Sequence, residues 1–281
     1  MNGQARTPAD NSGKKPLKEI RIEDVIILAL KAPGVRIERA AFLQKELCGH
    51  VPQETIDAAI ATSPMQAGIA LPTVDTIADG VIRFERTCVT GISAALGIPG
   101  GLALAATLPA DLAQYYAYLL RAAQKLMYLY GFPELGLKEK EHRPDPETIS
   151  LLLLCLGAMH GADGTHQALR GLARALAAGM EKKLLRRALT KGALSPVVRS
   201  VAKWFNARMG RRLFAGFFRK AVPAIGGVIG GGVTFLTFKP SCDKLKASLR
   251  DTILSNPDYN PGTDDDVPVY TDELPFAEED A

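Results

Sequence analysis

Cys155, His160 and His166 fall within one short stretch around the turn sequence HGADGTH. A thiol beside an imidazole is the pair needed for a nucleophile and its general base, or for two ligands of a metal. No third residue that would orient the base or complete a ligand set stands nearby, so the competing reading is a surface turn with incidental histidines. Cys48 and His50 pose the same pair and meet the same objection. The signatures GxxxxGK[ST], GxGxxG, GxSxG and HExxH, which hold phosphates, dinucleotides, an activated serine or a catalytic zinc, do not occur. No catalytic residue, cofactor or metal ligand is expected, and a non-enzymatic role is favoured.

A different chemistry is suggested by residues 110–130. At 100° per residue, Asp111, Gln114, Tyr118, Arg121 and Lys125 lie within about 80° of one another, while apolar side chains spread over the other faces. Two readings stay open. The stripe faces water, with Asp111 complementing the dipole at the helix N-terminus. Alternatively it faces an interior, pairing with polar groups or with the head group of a lipid-like ligand, as in an enzyme or carrier.

Charge is strongly segregated along the chain. Residues 181–220 hold twelve Lys/Arg and a single acid, whereas residues 255–281 hold nine acids and no base. The basic run interleaves cations with Leu, Val, Trp and Phe at helical intervals. That composition suits an amphipathic helix on an anionic membrane surface. Lys182, Lys183, Arg186, Arg187, Lys203, Trp204, Arg208, Arg211, Arg212, Phe217, Arg219 and Lys220 are the candidate contacts, with Phe205, Phe214 and Phe218 as further anchors. A solvated basic face on core helices is the plainer alternative. Aromatics are only 6% of the chain and no nucleic-acid motif accompanies the charge, which argues against nucleic acid as a partner. The acidic end could fold back on the basic run and screen it.

Two stretches without a charge, residues 87–110 and 221–238, flank these features. Each approaches the length of a bilayer span, about 20 residues, but both are rich in Gly and Ala and contain proline. Ordinary transmembrane helices are not expected. Gly226 and Gly230, and Gly227 and Gly231, stand four apart, a spacing that lets helix backbones approach closely in lipid or in a tight soluble bundle.

The elements that would position these groups are all helical. Apolar residues recur at helical spacing over residues 20–31, 37–48, 52–61 and 74–84, each stopped by Gly or Pro. Pro99-Gly100-Gly101 predicts two short helices, or one bent one, over 87–108; Pro109 then opens a helix to Tyr130. Further helices are expected over 148–159, 165–189, from Ser195 to about Lys220, and over 242–254. No alternation points to strands. The expected organisation is a disordered N-terminus (1–18), an N-terminal helical region (19–85), a larger helical domain (86–254) around the two Gly/Ala-rich segments, and an acidic disordered tail (255–281). At 281 residues and 47% hydrophobic, the chain has ample material for a core. Four scattered cysteines without CxxC spacing and a polar N-terminus suggest a reducing compartment, hence the cytoplasm, peripheral to or partly inserted in the inner membrane.

The sequence LPADLAQYYAYLLRAAQKLMYLYG after a Gly/Ala-rich helix, with KAVPAIGGVIGGGVTFLTF near the end, resembles the bacterial EcsC family over roughly residues 79–249. Asp111, Tyr130 and Gly131 are its sharper marks. The same pattern is similar to a helical domain fused to some membrane-attached bacterial GTPases, although this chain has no GTP-binding motif. The resemblance implies a membrane-associated helical protein and brings no catalytic residue. Three functions follow as expectations: binding anionic lipid or membrane partners, acting on a lipid-like ligand, or serving as a soluble helical adaptor.

Overall fold

The computed structural model describes residues 21–96, 104–134, 144–180, 182–208, 226–256 and 258–259. Among these the chain is all-helical, in ten helices: α1 (Ile22–Lys31), α2 (Arg39–Leu47), α3 (Gln53–Ala61), α4 (Leu71–Leu96), α5 (Leu104–Leu129), α6 (Pro146–His160), α7 (Thr165–Ala177), α8 (Lys182–Thr190), α9 (Ser195–Arg208) and α10 (Gly226–Arg250). Residues 1–18 and 260–281, within the ends expected to be disordered, and the connector 135–143 lie outside the described residues. Ser255 is described, and it belongs to the folded part: its hydroxyl is buried and bonds to the Leu249 carbonyl at 2.7 Å.

Two helices form the centre. The run SLLLLCLGAM makes α6 apolar on every side, and residues 150–159 are all buried, as a helix of that composition must be. The second half of α5 is equally enclosed, with residues 122–130 all buried. Around this pair α1 and α4 pack on α5, α7–α9 pack on α6, and α10 touches both. Asn206 of α9 accepts from the Ile22 N–H at 2.8 Å, satisfying a free donor at the start of α1 that Arg21 leaves uncapped. Arg39, largely buried, donates to the carbonyls of Ala59, Ile60 and Thr62 and so closes the C-terminus of α3. Burial depresses the Arg39 pKa, against the attraction of Glu134.

The most extensive packing is between α4 and α10. Asp75 pairs with Arg250 at 2.9 Å and Asp79 with Lys246 at 2.7 Å, while the Arg86 guanidinium lies 4.1 Å from the Phe235 ring. These three pairs fix an antiparallel register. Tyr130 to Asp75 (2.7 Å) and Arg121 to Glu85 (3.0 Å) set α5 antiparallel to α4 as well. Helices α5 and α10 are therefore parallel, joined by the Tyr115–Thr237 hydrogen bond.

Several expected boundaries move. Residues 87–96 close a 26-residue α4 rather than form a short helix, and α5 starts at Leu104, ahead of Pro109. Asp111 therefore lies about two turns inside α5, which removes the helix-terminus role expected for it. A division at residue 85 would cut α4, because apolar residues of both halves share one core. The basic segment after Thr165 is two helices, separated at Gly179, whose φ is +75°. The Gly-rich run and the polar helix after it are one element, α10, which passes through Pro240 on an exposed face. Helix α5 ends as its sequence suggests. Gly131, at φ +87°, takes the left-handed position, and Phe132 N–H returns to Met127 O at 2.9 Å in a Schellman closure.

Candidate functional site: an ionic clasp and a basic face

The lower part of the α5 stripe turns inward. Glu85, on the core face of α4, is fully buried and receives three hydrogen bonds: Arg121 Nε at 3.0 Å, Arg121 Nη2 at 3.1 Å and Lys125 Nζ at 2.7 Å. One carboxylate thus meets two cations. The extra positive charge is offset by the Gly34 carbonyl, which accepts from Arg121, and by the ring faces of Phe42 and Phe84, 5.6 and 5.5 Å from Lys125 Nζ. Burial works against the Arg121 cation, but hydrogen bonding and attraction to Glu85 outweigh it and raise its pKa. Beside it, the buried Gln124 amide donates to Val35 O and Leu120 O, both at 2.9 Å, and its carbonyl accepts from Ile37 N at 3.1 Å.

The loop after α1 is thereby tied to α4 and α5. This is a clasp: its donors and acceptors are matched by protein groups, and it contains no nucleophile poised beside a base. Gln114 and Tyr118 sit half-buried further along the same stripe, and the Asp111 side chain lies outside the description. Glu85 is not among the site residues expected from the sequence. Its signal was present: Ala78, Val81, Ile82 and Val89 form an apolar helical stripe, and Glu85 interrupts it at the spacing of a core position.

The cysteine–histidine pairs do not assemble. Cys155 is buried with its Sγ 3.5 Å from Met127 Sδ, and burial pushes its thiol up to about 12. His160 joins an aromatic cluster with Tyr116, Trp204 and Phe205, its ring 5.3 Å from that of Phe205. His166 instead shares a 2.7 Å hydrogen bond with the Ser248 hydroxyl, and burial, then the Arg170 charge, lowers its pKa. Cys48 and His50 are exposed. Among the described residues no group of His, Cys, Asp and Glu could hold a metal ion.

The basic segment divides by face. On α9, Val201, Ala202 and Phe205 enter the core, so Phe205, expected as a membrane anchor, is a core residue only 1% exposed. Trp204 is half-buried, with its ring 4.9 Å from that of Phe205. Outward stand Arg199 and Lys203 on α9, and Arg186, Arg187 and Lys191 on or just after α8. Of these, Arg186 pairs with Glu147 at 3.4 Å. Lys182, Lys183 and Arg208 are placed as helix positions without described side chains, as are Gly226, Gly227, Gly230 and Gly231 at the start of α10. Arg211, Arg212, Phe214, Phe217, Phe218, Arg219 and Lys220 lie outside the described residues.

No helix among the described residues is long and apolar enough to cross a membrane. The fold and these sites define an all-α bundle with an internal ionic clasp and an outward basic face. Comparison with protein-family models, curated proteins and solved structures returned no match. The EcsC resemblance rests on the sequence segments quoted for it alone.

Proposed function

We propose that this chain is a non-enzymatic protein of the cytoplasmic membrane face that binds anionic lipid, or an acidic membrane partner, through α8 and α9. One observation carries the reading. Arg186, Arg187, Lys191, Arg199 and Lys203 all point outward from two consecutive helices, within a stretch that has no acidic residue from Lys182 to Lys220. Each cation near an anionic surface contributes about 1 kcal/mol, and salt screens the attraction. The EcsC resemblance supports the same setting.

Flotation of the full chain with phosphatidylglycerol-containing vesicles, against pure phosphatidylcholine, tests it. Binding to the anionic vesicles only is expected, weakened at least tenfold by R186Q/R187Q/K203Q together, because three such contacts exceed the 1.4 kcal/mol of one decade. Failure to float with either vesicle would leave a soluble helical adaptor as the better reading. The lipid-ligand reading loses its polar lining at Arg121 and Lys125, which are engaged with Glu85.

A further inference from the structure

Three helices carry their uncharged segments to one end of the bundle. Helix α4 has no charge after Arg86, α10 has none before Lys239, and α5 has Asp111 alone before Arg121. The registers fixed by Asp75–Arg250, Asp79–Lys246 and Tyr130–Asp75 set residues 87–96 beside 226–238 and beside the first half of α5. At the base of this end, Phe235 and Leu236 stand outward, 43% and 70% exposed. Arg86 lies over the Phe235 ring, exposed Arg83 stands one turn earlier on α4, and Lys239, paired with Asp243, follows Leu236 by about one turn of α10.

We propose that this end enters one leaflet of an anionic bilayer while the charged remainder stays at the surface. The inference rests on the lipid-binding reading above and adds a depth to it. Residues 87–96 rise about 15 Å and residues 226–238 about 20 Å as helix. The whole hydrocarbon core is about 30 Å thick. These lengths fit half a bilayer, in keeping with the lack of a spanning helix among the described residues.

Charge selects lipid as the occupant over a second copy of the chain. Two copies meeting at this end would bring their Arg83 and Arg86 side chains together, whereas an anionic leaflet neutralises these cations at head-group level. Within the leaflet, the small-residue spacing of Gly226, Gly227, Gly230 and Gly231 is of the kind that lets helices approach closely without a hydrophobic drive.

The test uses the full chain bound at low salt to vesicles of phosphatidylglycerol and phosphatidylcholine. Salt is then raised to about 1 M, where the Debye length is about 3 Å. Wild type is expected to stay bound, while Leu236→Glu binds at low salt and comes off at least tenfold more. Leu236→Trp is expected to be quenched by lipids brominated along the acyl chain, beyond the quenching of Trp204 in wild type. Thermal melting of both variants confirms the fold, because Leu236 lies outside the core. Should wild type wash off as completely as Leu236→Glu, insertion is overturned and surface binding stands. Should neither protein bind at low salt, both readings fall. If Leu236→Glu instead converts a dimer to a monomer and leaves salt release unchanged, the end docks a second copy and the proposal is overturned.

Discussion

Helices α4, α5 and α10 are built in two different ways along their length. From Asp75 to Arg86 they are pinned by charge: Asp75 with Arg250 and Tyr130, Asp79 with Lys246, Glu85 with Arg121 and Lys125. Beyond Arg86 the same three helices hold a single charge, Asp111, and are rich in Gly and Ala. The contrast separates two tasks. Paired charges, of which Glu85 and Lys125 are buried, select one register, because a slip there strands a buried charge without its partner. Small uncharged residues select close backbone approach and leave a surface that lipid can cover. Register is set in one half, so the other is free to carry an interaction surface.

That contrast can be broken most severely at Glu85. Replacing it by Leu leaves buried Lys125 and half-buried Arg121 without a counter-charge, an expected loss of about 3–5 kcal/mol in chemical denaturation. Adding Arg121→Met and Lys125→Met to that variant should recover most of it; a triple variant as unstable as the single would contradict the clasp. Gly131→Ala comes next. Its Cβ would meet Leu254 O at 2.7 Å in a left-handed conformation, so about 2 kcal/mol is expected from the same measurement. Tyr130→Phe removes the hydrogen bond to Asp75 and should cost about 1 kcal/mol.

At the opposite end of the scale, Leu236→Glu in the uncharged half should change stability by less than about 0.5 kcal/mol, since its side chain is outside the core. The smallest effect is a pH slope. The folded-state pKa of His166 is depressed by burial and by Arg170, below the unfolded value of about 6.5. Below that value the unfolded chain binds the proton more readily, so melting temperature should fall as pH drops from 7 through 6. His166→Gln should flatten that slope.

Much of the fold was legible in the sequence. Helical periodicity and the Gly/Pro stops place α1, α2, α3 and α6 to within a few residues, and the all-apolar run of α6 announces burial. The displaced boundaries lie at prolines and glycines, whose effect depends on tertiary packing. Pro109 and Pro240 lie inside α5 and α10 because tertiary packing holds those helices together, and Gly179 marks a break that a helical pattern alone does not show. The stripe on α5 was visible as spacing, but its partner was not. Glu85 is 36 residues from Arg121, and a contact at that separation leaves no local trace beyond an acid at a core position. Similarly, nothing near Trp204 and Phe205 says that one of two adjacent aromatics faces the core; the α6–α9 packing decides it.

Hydrogen–deuterium exchange of the full chain, with and without phosphatidylglycerol-containing vesicles, tests the division between the two halves most directly. Added protection is expected in residues 87–96 and 226–238 on binding, with residues 71–85 and 239–250 unchanged. Protection confined to the charge-pinned half, or no change in the uncharged half of a vesicle-bound protein, would contradict it.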